Sequence, residues 1–79
     1  MRTLAPHIVI DQNVRFGKPM VKGTRMTVEE VLGALAGGMN PQAIEEEYGL
    51  TQVQIRAVFA YVAAFLAGEE MDISKIKRT

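Results

Sequence analysis

Apolar positions fall into two regimes along this chain, short runs broken by turn residues before Thr27 and helical spacing after it. In the first regime, His7-Ile8-Val9-Ile10 is a β-branched run that predicts a strand, and Asp11-Gln12-Asn13 is turn chemistry. Val14-Arg15-Phe16 then alternates, predicting a second short strand that Gly17 ends. Pro19 has no amide hydrogen to give to a ladder, so Met20-Val21-Lys22 fits only an edge strand or the start of one. Strands this short do not stand alone in water, and the hairpin must pack on helices or on a second chain.

The second regime is punctuated by helix starts and stops. Thr27-Val28-Glu29-Glu30 is a capping box: Thr27 can accept from the Glu30 amide while the Glu30 carboxylate reaches back. Val28, Val31, Leu32, Leu35 and Ala36 form one apolar stripe of a first helix that Gly37-Gly38 ends. Asn40 as N-cap and Pro41 at the first helical position open a second helix, with Ala43, Ile44 and Tyr48 inward and Glu45, Glu46 and Glu47 around them. Gly49 closes it. Thr51-Gln52-Val53-Gln54 is a further capping box, opening a third helix whose apolar pattern runs to Leu66, with Gly68 as its expected C-cap. The fold class is therefore mainly α, of α+β type: an N-terminal β-hairpin and then three helices. The expectation is a single domain over 1–68 and a short polar tail over 69–79, as one more helical turn or as disordered chain.

The second helix, the Gly49-Leu50 turn and the third helix have the spacing of a helix-turn-helix, with Ile44, Tyr48, Ile55 and Val58 at packing positions. Glu45 departs from that pattern, since a small residue usually stands four before the turn glycine. The same spacing serves a purely structural three-helix core. If the motif reads DNA, the first turns of the third helix enter the major groove, and Thr51, Gln52, Gln54 and Arg56 are the contact set. Capping competes for Thr51 and Gln54, leaving Gln52 and Arg56 as the freer readers. One cation on a reading helix is meagre, and Arg15, Lys18, Lys22 and Arg25 of the hairpin are the obvious further phosphate contacts.

Charge changes this picture in one respect. The 79 residues have a formal net charge of zero, which argues against strong sequence-independent binding to nucleic acid. The charges are nonetheless segregated: residues 1–26 carry Arg2, Arg15, Lys18, Lys22 and Arg25 against Asp11, whereas 27–50 carry Glu29, Glu30, Glu45, Glu46 and Glu47 without a cation. Either the protein has a basic and an acidic face, or these are solvated faces that partly neutralise each other. Arg25 is placed to pair with Glu29 or Glu30, a contact worth under about 1 kcal/mol if exposed.

The third helix is apolar nearly all round. Ile55, Val58, Phe59, Val62, Phe65 and Leu66 form one stripe, and Ala57, Ala60, Tyr61, Ala63 and Ala64 cover much of the remainder. Burial of one side alone leaves apolar surface wet, which predicts a homodimer seam through Ala57, Ala60, Tyr61 and Ala64, or a groove for a partner chain, over a wholly intramolecular core. A chain of this length buries only about 60% of its unfolded surface, so a second copy would add to a thin margin.

Catalysis finds little support: there is no cysteine and one histidine, His7, and the acidic pairs sit where helix starts and solvated faces account for them. The expectation is a protein that is not an enzyme and needs neither metal nor cofactor. Met1 to Ala5 hold no signal-like apolar region, and the longest apolar run, AVFAYVAAFLA over 57–67, is too short to span a bilayer, so the cytoplasm is the expected location and no membrane is expected as a partner.

The stretch GKPMVKGTR, residues 17–25, invites comparison with a phosphate-binding loop. That loop needs four residues between its glycines and then Lys-Ser/Thr opening a helix, and here five residues separate Gly17 from Gly23. The reading fails on spacing. Gly17-Lys18-Pro19 and Gly23-Thr24-Arg25, followed by an apolar residue and the first helix, instead resemble the hallmark of domain-of-unknown-function family 433, small prokaryotic proteins with VapB-type antitoxin-like members. The resemblance continues through the Asn40-Pro41 helix start and the Tyr48-Gly49-Leu50-Thr51 turn and covers roughly residues 8–66. It implies a homeodomain-like or winged helix-turn-helix fold, usually dimeric. It also implies an antitoxin that binds its own operator as double-stranded DNA and neutralises a PIN-like ribonuclease toxin. The alternative is a protein-binding adaptor that holds a toxin or other partner without touching DNA. On either view GKPMVKGTR is mainly architectural, its glycines supplying backbone conformations that other residues resist.

Overall fold

A computed structural model describes the backbone of residues 1–77 and the side chains of residues 1–68. An antiparallel three-stranded sheet precedes three helices, the mainly helical α+β class expected from the apolar pattern. The strands are β1 (Arg2–Ala5), β2 (Ile8–Ile10) and β3 (Met20–Val21), ordered β1-β2-β3. The helices are α1 (Val28–Ala36), α2 (Pro41–Tyr48) and α3 (Gln52–Lys77).

The sheet departs from expectation in two places. β1 carries no strand signal of its own, because Arg2-Thr3-Leu4-Ala5 has no β-branched run; it is held by pairing, with Arg2 opposite Ile10 and Thr3 opposite Val9. Val14-Arg15-Phe16 is not a strand. Arg15, Phe16 and Gly17 take φ of 49°, 60° and 74°, a single left-handed turn closed by Gly17 N–H donating to the Val14 carbonyl at 3.1 Å. Alternation over three residues cannot distinguish a strand from such a turn, because the ladder partner that would make it a strand lies elsewhere in the chain. In β2 and β3, Ile8 pairs with Val21 and Val9 with Met20. Neighbouring side chains in a strand leave on opposite faces. All four are buried, so this part of the sheet is covered on both sides.

The helix starts form as the caps dictate. Thr27 Oγ1 accepts from the Glu30 amide at 3.0 Å while Glu30 Oε1 accepts from the Thr27 amide at 2.9 Å. Asn40 Oδ1 accepts from the Ala43 amide at 2.8 Å ahead of Pro41. Gly49 ends α2 with φ 70°, in the left-handed region, and its amide donates to the Glu45 carbonyl. Nothing lies within 4 Å of where a Gly49 Cβ would stand, so φ and not space demands glycine there.

The core joins Ile8 and Val21 of the sheet to Val28 and Val31 of α1, Ile44 of α2, Leu50 of the turn, and Ile55 and Val58 of α3. Several residues expected inside are not. Tyr48, Phe59, Phe65 and Leu66 remain 42%, 45%, 53% and 48% exposed: Tyr48 and Phe59 lie on sides of α2 and α3 turned away from the core, and Phe65 and Leu66 lie beyond Val62, the last described residue of α3 packed against it. Gly68 is not a C-cap, since α3 runs through it to Lys77. Of the polar tail expected over 69–79, residues 69–77 continue the helix, and 78–79 lie outside the described residues. At 1.5 Å per residue α3 is about 39 Å long, most of the 46 Å long axis of the molecule.

Candidate nucleic-acid and partner surfaces

The capping chemistry of α3 fixes the first candidate surface. Thr51 and Gln54 hold each other: the Gln54 amide donates to Thr51 Oγ1 at 3.1 Å and the Thr51 amide to Gln54 Oε1 at 2.8 Å. Gln52 Nε2 donates to Glu45 Oε2 at 3.2 Å, so the carboxylate at the unusual position four before Gly49 bridges α2 to α3. Arg56 is exposed and, among the described residues, makes no ion pair; it lines an open cleft of about 270 Å³ with Pro41, Gln52, Ile55 and Phe59. The chain turns through 117° between α2 and residues 52–68 of α3, a steep corner with Arg56 at its mouth, on the cleft it shares with Pro41 of α2. Glu45, Glu46 and Glu47 stand on the α2 side of the corner, where they oppose a polyanion.

The hairpin cations divide into two sets. Arg15 donates to both carboxylate oxygens of Glu30, at 3.0 and 2.8 Å, and to the Arg25 carbonyl at 2.9 Å. Lys18 pairs with Glu29 at 2.8 Å. The partners of Glu29 and Glu30 are thus Lys18 and Arg15, while the Arg25 side chain, the one placed by sequence to pair with them, is exposed without an ion pair among the described residues, as is Lys22. Pairing skips Arg25 because the left-handed turn at 15–17 swings Arg15 against the first turn of α1. Arg15 and Lys18 are held at the first turn of α1, and Pro19 next to Lys18 lines a groove with Val62 and Phe65, Phe65 being nine residues or about two and a half turns beyond Arg56. The residues expected to contact DNA therefore do not form one cluster.

Electrostatics reinforces the Arg15 contact. Hydrogen bonding from Arg15, and then from the Thr27 amide, holds the Glu30 carboxyl down to about 2 from its ordinary 4.5. The same hydrogen bond raises the Arg15 guanidinium above its usual value. A carboxyl with a depressed folded-state pKa stabilises the fold above its unfolded value, and the contribution fades as pH falls from about 4.5 to about 2. Urea melts at pH 7, 4 and 3 are expected to show stability dropping across that window, and Glu30→Gln is expected to flatten the drop. An unchanged acid dependence in the variant would remove Glu30 as its source.

The second candidate surface is the flank of α3. Ala57, Ala60, Tyr61 and Ala64 line a groove of about 170 Å³ with Ala5 at the end of β1 and Pro6 of the following turn. On the other side, Val28 and Leu32 of α1 with Tyr61, Val62 and Phe65 of α3 line an apolar groove of about 350 Å³, its rim formed by Pro19 and Glu29. Tyr61 belongs to both. Sequence reasoning missed the exposure of Phe16; its only signal there is an aromatic residue directly before a turn glycine. Among the described residues no single helix is long and apolar enough to cross a membrane.

Comparison with known proteins adds three findings. The family model described as "Protein of unknown function (DUF433)" matches residues 8–62. A protein of Mycobacterium tuberculosis (strain ATCC 25618 / H37Rv) named "Putative antitoxin VapB45" is 34% identical over 58 residues, a match covering 73% of this chain and 24% of that protein. The chain thus spans about a quarter of the length of that relative. No solved structure matches.

Proposed function

The chain belongs to the DUF433 family, and from that premise we propose that it is the antitoxin of a toxin-antitoxin pair, a dimeric regulator that binds operator DNA through the α2-α3 corner. The name of the mycobacterial relative supports the antitoxin role. The observation that carries DNA reading is the 117° corner with Arg56 exposed at its mouth, without an ion pair among the described residues. Helix pairs joined at 90–120° by a short glycine-containing turn are the helix-turn-helix arrangement, in which the start of the second helix enters the major groove. Arg56 is the principal base reader, and a guanidinium there pairs bidentately with guanine. Gln52 reads only by exchanging its Glu45 partner, and Thr51 and Gln54 serve the cap. Lys22 and Arg25 remain available for phosphates. The toxin is a PIN-like ribonuclease, as the family resemblance implies, and a second copy covers Ala57, Ala60, Tyr61 and Ala64.

A second reading, an adaptor that binds the toxin or another partner and leaves DNA alone, is favoured by the pairing of Arg15 and Lys18 and by the carboxylates of α2. A gel shift with the DNA upstream of the gene across a salt series separates the two. DNA binding is expected to weaken by about 0.9 log units per phosphate contact for each tenfold rise in salt. Arg56→Ala is expected to cost about 1–3 kcal/mol on the operator and little on random DNA. No shift at low salt would leave the adaptor standing, and equal losses on both DNAs would make Arg56 a phosphate contact.

A further inference from the structure

Phe16 is 95% exposed, the most exposed large apolar side chain among the described residues. It also sits at φ 60° and ψ 28°, between Arg15 at φ 49° and Gly17 at φ 74°. Left-handed backbone costs an L-residue roughly 1–2 kcal/mol, and bulky residues seldom adopt it. Within one protomer Phe16 gains no burial in return. The turn is nonetheless held firmly: Arg15 is tied to Glu30 and to the Arg25 carbonyl, and Lys18 to Glu29. The chain on both sides of the projecting ring is thus fastened to the first turn of α1.

That same turn of α1 forms one wall of the 350 Å³ apolar groove, which Val28, Leu32, Tyr61, Val62 and Phe65 line and Pro19 and Glu29 rim. Phe16 lies three residues from Pro19, within about 11 Å by chain length, yet stays outside its own groove. An aromatic knob and an apolar groove side by side on one surface suit a twofold axis running between them: each knob then enters the groove of the other copy, and both contacts form in one step. The rim favours a copy of the same chain. Glu29 on the rim pairs with the neighbouring Lys18 at 2.8 Å, the two side chains being 75% and 52% exposed, and a face with one charge of each sign can meet its twofold mate with opposite charges aligned. Tyr61 lines this groove and also the alanine groove of the proposed seam, so the two flank the same side chain.

We infer that a second copy of this chain occupies the α1-α3 groove, with Phe16 of each protomer seated in the groove of the other. The inference rests on the dimer in the functional reading above and adds the contact that locks it. It accounts for the strained turn, whose cost is offset by burying two rings on association.

The protein has no tryptophan, so Phe16→Trp introduces a single reporter. Its emission is expected to shift to the blue as protein concentration rises through the dimerisation range seen by light scattering. Phe16→Ser and Phe65→Glu, at exposed positions, are each expected to give folded monomers by circular dichroism and light scattering. Mixed together they are expected to form a heterodimer, because one intact knob then meets one intact groove. A dimer in which the introduced indole keeps its solvent-like emission, and whose mass Phe16→Ser leaves unchanged, would overturn this contact while leaving the dimer in place. A blue shift only on adding the toxin encoded alongside would assign Phe16 to that partner and overturn it likewise. A wild-type monomer at all concentrations would overturn the dimer reading itself.

Discussion

Replacing Ile44 by alanine is expected to lower the unfolding free energy by about 2–5 kcal/mol, the range for removing a large aliphatic side chain from a closed core. Ile44 has no exposed surface and packs in one cluster with Val31 of α1, Leu50 of the turn, and Ile55 and Val58 of α3. It is the one buried residue of α2, so the corner loses its main tie when that side chain is cut back. A domain of this size has about 4–12 kcal/mol in hand at 0.05–0.15 kcal/mol per residue, so the loss is a large share of the total. Val53→Ser, at a position 61% exposed, is the matched control and is expected to change stability by less than about 0.5 kcal/mol. Urea titration followed by circular dichroism measures both. A loss under about 1 kcal/mol for Ile44→Ala would mean that α2 is not anchored through that residue. Protein concentration must be held fixed, because any dimer contributes to the apparent stability.

Ala60→Glu is expected to abolish the proposed dimer without unfolding the protomer. Ala60 is exposed on α3, and glutamate is a good helix former, so the isolated chain tolerates the change. In the seam the carboxylate faces the shallow groove formed with Ala57, Tyr61 and Ala64, where no described cation is part of the lining. An uncompensated charge buried in an interface costs about 3–5 kcal/mol, which weakens association by a hundredfold to several thousandfold. Light scattering at micromolar protein is expected to report the mass of one chain instead of two. Loss of operator binding in the same variant is expected to follow, since a palindromic site is held by two corners at once. An unchanged mass would remove the alanine flank of α3 from the seam.

Where a helix start or the α2-α3 turn is written in neighbouring residues, the structure follows it, although α3 runs on through the stop signal at Gly68. Thr27 with Glu30, Thr51 with Gln54, Asn40 with Pro41, and Gly49 each set a helix boundary through hydrogen bonds or a backbone angle that involve only neighbours. The family hallmark, Gly17-Lys18-Pro19 and Gly23-Thr24-Arg25, is legible in the same way, as a fixed local order of residues. Distance along the chain marks where legibility stops. Arg15 reaches Glu30 across fifteen residues and Lys18 reaches Glu29 across eleven, and nothing in the sequence ranks those two above Arg25 as partners. The candidate surface is legible as a set of residue types and not as a place. Arg56 stands at the corner, whereas Arg15 and Lys18 are paired with Glu30 and Glu29 at the start of α1.

The sequence by itself determined the class, the order and starts of the three helices, the turn between α2 and α3, and the family, because each is written in local hydrogen-bonding and torsional preferences. Tertiary structure alone decided which cations are spent on α1, that Phe16 is thrust into solvent on a left-handed turn, and which of the described apolar residues of α3 are covered. Those outcomes depend on how a short sheet and two short helices share one long helix. Packing of that kind is settled by the whole set of contacts at once, and no window of the chain contains it.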